Sequence, residues 1–292
     1  MTKEKEYVIS IDLGGTNVRV GLISEDCEII EVNRERTIHD NPHELSNQIN
    51  RLISYLPYKE YNVKKIGISA AGFIEKGVIK KSINAGLVNY DIKQEILKVY
   101  PEFKVHVLND GNATALSESK FGSTKDVDDS LFLTISTGIG GGLVIDKVLI
   151  DIPLEIGHMY LSYDNKPMDA ESILSGKGLI NLCRLNNLRV RNAEEFFALV
   201  RNKNKHAKLI FNKWICLLGQ YIANLQICYN VEKIILSGGV MKSSELFYDK
   251  LVAKTKEYLA PFPLRDIVFC LAQFDQDAGL MGGAAVAFDN KD

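Results

Sequence analysis

The 292-residue chain is 46% hydrophobic and 25% charged, the balance of a water-soluble globular protein long enough for two cores. Its 35 Lys and Arg against 37 Asp and Glu leave a net charge of −2, without the basic excess of a nucleic-acid-binding surface. No apolar run reaches the length of a membrane span, and residues 1–6, MTKEKE, are no signal peptide. Cys27, Cys183, Cys216, Cys228 and Cys270 are odd in number and lack any CxxC pair, so they read as reduced thiols of a cytoplasmic protein.

In chain order, apolar alternation predicts a three-stranded meander over 8–12, 18–24 and 29–37. A helix follows Pro42 over 43–56, then strands at 63–70 and 104–108 and a helix near 111–121. The second half repeats the scheme, with strands at 131–135, 143–145 and 148–150. A long helix over 207–229, a strand at 233–236, a helix near 243–259, a strand at 266–271 and a small-residue helix over 278–288 complete it. No linker rich in Pro, Gly or Ser separates domains, so the hinge is expected in a short connection near residues 109–112.

Two stretches share one plan of strand, glycine turn and strand. The first is YVISIDLGGTNVRVGL, turning at Gly14-Gly15; the second is LFLTISTGIGGGL, turning over residues 136–142. Their repetition suggests two related half-molecules, each offering backbone N–H groups to a phosphate, which glycine lets approach closely. The first turn leads into a strand rather than a helix, which excludes a dinucleotide-binding fingerprint, and no Gly-Lys-Ser/Thr run supplies a Walker loop. Ordinary hairpin turns would explain either run alone. Asp12, able to hold a Mg²⁺-bound water, and Thr16-Asn17, able to donate to phosphate oxygens, favour a phosphate clamp.

Further motifs follow: Asn109-Asp110-Gly111-Asn112-Ala113, Glu155-Ile156-Gly157-His158, Glu171 ahead of Ser175-Gly176, and IILSGGV with Gly238-Gly239. In this order they resemble the ROK family of sugar kinases and sugar-responsive repressors, within the actin-like/hexokinase ATPase superfamily. The resemblance covers nearly the whole chain. It implies an α/β, two-domain actin-like ATPase (ribonuclease H-like) fold with its active site in the interdomain cleft. The N-terminal α/β domain would span 1–110, with a C-terminal helix over 276–292 packed back on it; the second would span 111–275. Most relatives also carry a Cys-x-Cys-Gly-x-x-Gly-Cys loop that forms a Cys₃His zinc site. Here residues 158–171, HMYLSYDNKPMDAE, hold no cysteine, so no zinc site is expected, and a shorter loop replaces it.

The resemblance assigns roles to residues. Asp110 would be the catalytic base for a sugar 6-hydroxyl, although an Asp between a strand and a helix could equally be an N-cap. A helix N-terminus favours the ionised carboxylate that a base requires. Gly72, Asn84, Asn109, Asp110, Glu155, His158 and Glu171 would bind the sugar through a ring of acceptors and donors. The other four histidines read as surface or packing residues. Gly14, Gly15, Thr16, Asn17, Thr137 and Gly138 would hold the phosphates of ATP, with Gly238 and Gly239 against the adenosine. Asp12 would hold Mg²⁺ through water.

The implied activity is an ATP-dependent sugar kinase. Ala71 before Gly72, where many glucokinases of the family have Pro, and the missing zinc loop favour N-acetylmannosamine and sialic acid degradation, with glucose as the alternative. A third possibility is a sugar sensor or repressor. The repressors carry a helix-turn-helix domain ahead of the first phosphate motif, and Asp12 stands too near Met1 for one. No nucleic-acid or membrane partner is expected, and the family implies a homodimer.

Overall fold

The computed structural model describes residues 5–152 and 154–289. Alternating apolar residues around the tight glycine turn make β1 (Tyr7–Leu13) and β2 (Asn17–Ser24) an antiparallel pair, with Leu13 opposite Val18 and Asp12 opposite Arg19. β3 (Ile29–Arg36) extends the meander. α1 (Pro42–Ser54) starts where Asn41 accepts the Glu44 N–H and Pro42 supplies the first turn, and it buries Leu45, Ile49, Leu52 and Ile53. β4 (Lys65–Ala70) then joins β1 in parallel. A small antiparallel sheet of β5 (Phe73–Glu75), β6 (Val78–Ser82) and β7 (Leu87–Tyr90) follows, then α2 (Ile92–Leu97). β8 (Lys104–Asn109) completes the main sheet, in the order β3-β2-β1-β4-β8, and leads directly into α3 (Asp110–Lys120). The small sheet and α2 are absent from the sequence expectation.

The second copy of the plan is β9 (Ser130–Ile135) antiparallel to β10 (Ile139–Ile145). The expected glycine turn over 136–142 is corrected here. Gly140, Gly141 and Gly142 lie inside β10, and the turn is Ser136-Thr137-Gly138 alone. Packing explains the run, since a Cβ on Gly141 would stand 2.5 Å from Ile156 Cδ1 and 2.7 Å from the Phe132 carbonyl. β11 (Val148–Leu149) precedes an antiparallel hairpin of β12 (Tyr160–Tyr163) and β13 (Lys166–Asp169). α4 (Glu171–Leu174), α5 (Gly176–Leu185), α6 (Ala193–Arg201) and α7 (Lys205–Tyr229) follow, then β14 (Lys233–Ser237). The predicted helix over 243–259 divides into a 3₁₀ segment, Gly239–Leu246, and α8 (Tyr248–Leu259). Phe247 breaks the helix at φ −138° and sinks its ring against Trp214, centroids 5.0 Å apart. β15 (Val268–Leu271) pairs in parallel with β14, and β14 with β9. Thus β10-β9-β14-β15 repeats β2-β1-β4-β8 strand for strand, as the duplicated motif suggests.

The last element, α9 (Ala278–Asp289), lies on β1 and β4 and beside α3. Period two along β1 sends Ile9, Ile11 and Leu13 to the α1 face, and Val8, Ser10 and Asp12 to the α9 face. Ser10 Oγ donates to the Leu280 carbonyl at 2.5 Å. A Cβ on Gly67 would stand 1.9 Å from the Gly283 carbonyl, so only glycine lets the helix sit this close. Residues 290–292 of the predicted helix, and Pro153, lie outside the described residues.

By packing the chain divides into two units. Unit 1 takes Met1–Asp126, Val148–Pro153 and Gln273–Asp292, and unit 2 takes Val127–Lys147 and Leu154–Ala272. The division therefore falls after α3, not at Asp110, because Ala113 and Leu116 of α3 pack with Ala285 and Val286 of α9. Residues 109–112, expected near the hinge, lie at the β8–α3 junction inside unit 1. Among the described residues no helix is long and apolar enough to cross a membrane.

Glu118, fully buried on α3, fastens two segments where the chain changes unit. Oε2 accepts from Ser123 N and Oγ, both at 2.8 Å, and Oε1 accepts from Gln273 N at 2.8 Å and Phe274 N at 3.3 Å. A carboxylate serves both sides because all its lone pairs accept, whereas an amide turns donors toward one of them. Glu118→Gln is therefore expected to cost about 2–4 kcal/mol in urea unfolding, the penalty of orphaned buried donors. An unchanged midpoint would show that the bonds are dispensable.

Candidate functional site

In unit 1 the first glycine turn is tied at its base. Gly14 N donates to the Asn17 carbonyl at 3.1 Å, Thr37 Oγ1 donates to the Gly14 carbonyl at 2.7 Å, and Thr37 N donates to the Thr16 carbonyl at 3.1 Å. Gly15 and exposed Thr16 form the tip. Asn17 is the first residue of β2, and its side chain accepts from Arg34 Nε at 3.2 Å. Exposed Asn84 lies against the turn: a Cβ on Gly15 would be 2.4 Å from the Asn84 Cβ. Gly72 sits at φ +132°, its α-carbon pressed onto the Lys81 carbonyl, so it connects β4 to β5 through backbone contact.

Asp12 lodges at the N-terminal end of α9, where a Cβ on Gly279 would come within 2.2–2.5 Å of its carboxyl group. Arg19, opposite it in the hairpin, donates from Nε to Asp12 Oδ2 at 2.9 Å. The same guanidinium reaches Asp277 Oδ1 at 3.0 Å and the Gln276 carbonyl at 2.7 Å. Burial pushes the Asp12 carboxyl above its usual range, against the pull of Arg19. Arg19 and Asp277 are neighbours of Asp12 that sequence reading missed. Hairpin register was the available signal, since a tight turn closed by Leu13 and Val18 puts residue 19 opposite residue 12.

The choice at Asp110 between helix cap and free carboxylate resolves onto its neighbour. Asn109 caps α3, its side chain accepting from Asn112 N at 2.8 Å, and Asp110 is the first helical residue. Gly111 N and Asn109 Nδ2 donate to Asp110 Oδ1 at 3.0 and 3.2 Å. Asp110 reaches solvent, yet the protein around it lifts its carboxyl to about 6, with the Asp12 charge adding to the rise. Asn112 is buried, with Nδ2 reaching Asp151 Oδ1 and the Ile152 carbonyl at 3.4 Å and Oδ1 left without a protein partner.

In unit 2 a second set gathers around the Ser136-Thr137-Gly138 turn. Ser136 N donates to the Gly138 carbonyl, and Gly176 N to the Ser136 carbonyl at 2.7 Å. Glu171 Oε2 accepts the Ile139 N–H at 2.7 Å, and a Cβ on Gly138 would stand 2.4 Å from that oxygen. The expected phosphate turn and the expected sugar carboxylate are therefore neighbours, and the carboxylate takes the amide of Ile139, the first residue of β10. The 3₁₀ turn Ile156–His158 packs beside them through Gly157, with exposed Glu155 and His158 at its ends. His158 Nδ1 lies 2.7 Å from Asp169 Oδ2, a partner outside every quoted motif. Asp169 with Glu171 and Glu155 holds the imidazole pKa above its usual value. Gly238, at φ +98°, fits against the Ile135 backbone, while a side chain on Gly239 would meet only Ser136 Oγ, at 3.9 Å. Among the described residues no cluster of three or more His, Cys, Asp or Glu side chains is arranged to hold a metal.

These parts have the actin-like ATPase fold, built on duplicated β-sheets with a glycine turn in each copy. The chain belongs to the ROK family, whose model matches residues 8–290. It is 27% identical to the glucokinase of Thermotoga maritima over 97% of each chain. It is 23% identical to the N-acetylmannosamine kinase of Escherichia coli O6:H1, covering 94% of this chain and 96% of that one. Among solved structures it resembles a ROK family glucokinase of Streptomyces griseus in complex with glucose and AMPPNP. That likeness has a TM-score of 0.74 and 23% identity, covering 97% of this chain and 100% of the other.

Removing Arg19 leaves Asp12 half-enclosed without its cation. Arg19→Met is expected to destabilise by on the order of 2 kcal/mol at neutral pH. The Asp12 pKa is already raised and would rise further without Arg19, so the deficit should shrink as acid protonates the carboxyl group. Urea titrations at neutral and acid pH read both effects; a deficit that grows in acid would contradict the pairing.

Proposed function

We propose that the protein is an ATP-dependent sugar kinase that phosphorylates the 6-hydroxyl of a hexose or N-acylhexosamine, N-acetylmannosamine first and glucose second. The observation that carries this reading is Asp110. Its carboxylate, at the N-terminus of a helix, accepts only from neutral amides, those of Gly111, Asn109 and its own backbone, so no cation holds it from taking a substrate proton. The sugar oxygen attacks the γ-phosphorus, the bond from that phosphorus to the β–γ bridging oxygen breaks, and ADP leaves with the electron pair. The hydroxyl proton passes to Asp110.

Asn109 orients the base through its side-chain amide. Glu155, His158 and Glu171 bond the ring hydroxyls, with Asn84 and the backbone at Gly72 as further contacts. The glycine turns at Gly14-Gly15-Thr16-Asn17 and Thr137-Gly138 take phosphates, and Gly238-Gly239 takes the adenosine face. Asp12 suits Mg²⁺ held through water, because its guanidinium bond falls on Oδ2 and Oδ1 remains. When bound, Mg²⁺ neutralises the triphosphate charge.

Membership of the family supports the reaction class. The glucokinase and N-acetylmannosamine kinase relatives support both substrates. The choice of N-acetylmannosamine rests on Ser69-Ala70-Ala71-Gly72 and on the cysteine-free stretch from His158 to Glu171.

The test is ATP-dependent turnover on N-acetylmannosamine, glucose, N-acetylglucosamine and mannose. Asp110→Asn keeps the acceptor for Gly111 N but cannot take a proton, so kcat should fall on the order of 10²–10⁴-fold with the thermal midpoint unchanged. Turnover near wild type would remove Asp110 from the mechanism, and sugar binding without turnover would favour a sensor. The base must be ionised, so the wild-type rate should fall as pH drops through about 6. A flat profile down to pH 4 would oppose the assignment.

A further inference from the structure

The imidazole of His158 is fixed by a residue that belongs to none of the motifs. The β12–β13 hairpin turns on Asp164 and Asn165, both at positive φ (46° and 59°), and its register pairs Tyr160 with Asp169. This brings Asp169 back beside the 3₁₀ turn that carries His158. Each Asp169 oxygen then faces one N–H or ring nitrogen. Oδ1 accepts from Ser172 N at 3.0 Å, and Oδ2 lies 2.7 Å from His158 Nδ1.

An ionised carboxylate only accepts, so Nδ1 of a neutral imidazole must carry the hydrogen. Nε2 is left bare. It lies 3.9 Å from Glu155 Oε2, beyond hydrogen-bond reach. Two acceptors therefore stand side by side at the exposed end of the turn, in want of donors. No cysteine occurs between His158 and Glu171 to hold the ring through a metal, and the carboxylate fills that orienting role.

We propose that Asp169 is a positioning residue that holds His158 in the Nδ1–H tautomer, so that His158 Nε2 and Glu155 accept hydrogens from two neighbouring hydroxyl groups of the sugar. The substrate half of this proposal rests on the sugar-kinase reading; the tautomer half does not. The groups facing His158 are Asp169 from β13, Glu171 from α4 and Glu155 from its own turn, all carboxylates. They favour the imidazolium, so the tautomer has to be read well above the imidazole's own titration.

The experiment is ¹⁵N NMR of the imidazole nitrogens in the full-length, ligand-free protein, with the His158 signals assigned by their loss in His158→Gln. The wild type should show the Nδ1–H tautomer. In Asp169→Asn one amide oxygen must serve two donors, so either the Ser172 cap or the histidine bond is lost, and the Nδ1–H preference should weaken or invert. In steady-state assays the same variant should raise the sugar KM on the order of 10-fold, about one charge-assisted hydrogen bond, with kcat and the ATP KM within about twofold. A merely structural role would lower kcat and raise both KM values together and leave the tautomer alone. A wild type whose neutral His158 carries its hydrogen on Nε2 overturns the proposal, even if the variant fails to fold. An Asp169→Asn protein with unchanged tautomer and unchanged sugar KM overturns it as well. A wild type with the Nδ1–H tautomer but no turnover on any sugar would overturn the kinase reading and not the tautomer assignment.

Discussion

The seating of α9 on β1 and β4 is the constraint on which unit 1 depends. Gly67 on the strand and Gly283 on the helix meet backbone to backbone, a separation that no side chain permits. From that contact the rest follows. The N-terminal end of the helix comes down on Asp12 through Gly279, and the hairpin partner Arg19 locks the carboxylate to Asp277 and the Gln276 carbonyl. On its other side Gly282 admits Ala113 of α3, whose first residue is Asp110. One helix of small residues thus sets the places of two carboxylates with opposite needs. Asp12 is paired with a cation, while Asp110 is left with neutral donors and a carboxyl that burial lifts to about 6.

Unit 2 repeats the strand plan but spends its glycines differently. In unit 1 the turn is pinned by Thr37, the residue just after β3. In unit 2 the corresponding turn is flanked by Glu171, which accepts the N–H of Ile139, the first residue of β10. Gly141 and Gly157 carry no strain; they clear space for Ile156 and for the approach of the 3₁₀ turn to β10. The glycine run that looks in sequence like one long anion loop is therefore mostly a packing surface. Only Ser136, Thr137 and Gly138 have the freedom of a turn.

Legibility followed the range of the interactions. Strands of the two sheets, α1 and α7 were readable because their apolar periods and caps are local. Asp110 and Glu171 could be singled out as candidates because their neighbours in sequence form recognisable motifs. Asp169 was not, because its meaning depends on the β12–β13 register, and the Asp164-Asn165 turn that sets this register was passed over. Arg19 was hidden for a related reason, as its pairing with Asp12 emerges only once the two strands are aligned. The break at Phe247 was illegible because a buried aromatic cluster, and no local propensity, decides it. Helices α5 and α6 escaped although Asn186-Asn187 and the Asn192 cap mark the break between them.

The polar groups in the two units also differ in kind, and the difference bears on what each can bind. Around Glu155, His158 and Glu171 the side chains are carboxylates and one imidazole that lends its hydrogen to another carboxylate. Such a set asks for donors, which polyhydroxyl compounds supply in abundance. Around Gly14, Gly15 and Thr16 the exposed elements are a turn's backbone and a hydroxyl, and the Asp12 carboxylate is paired with Arg19. That environment tolerates an anion.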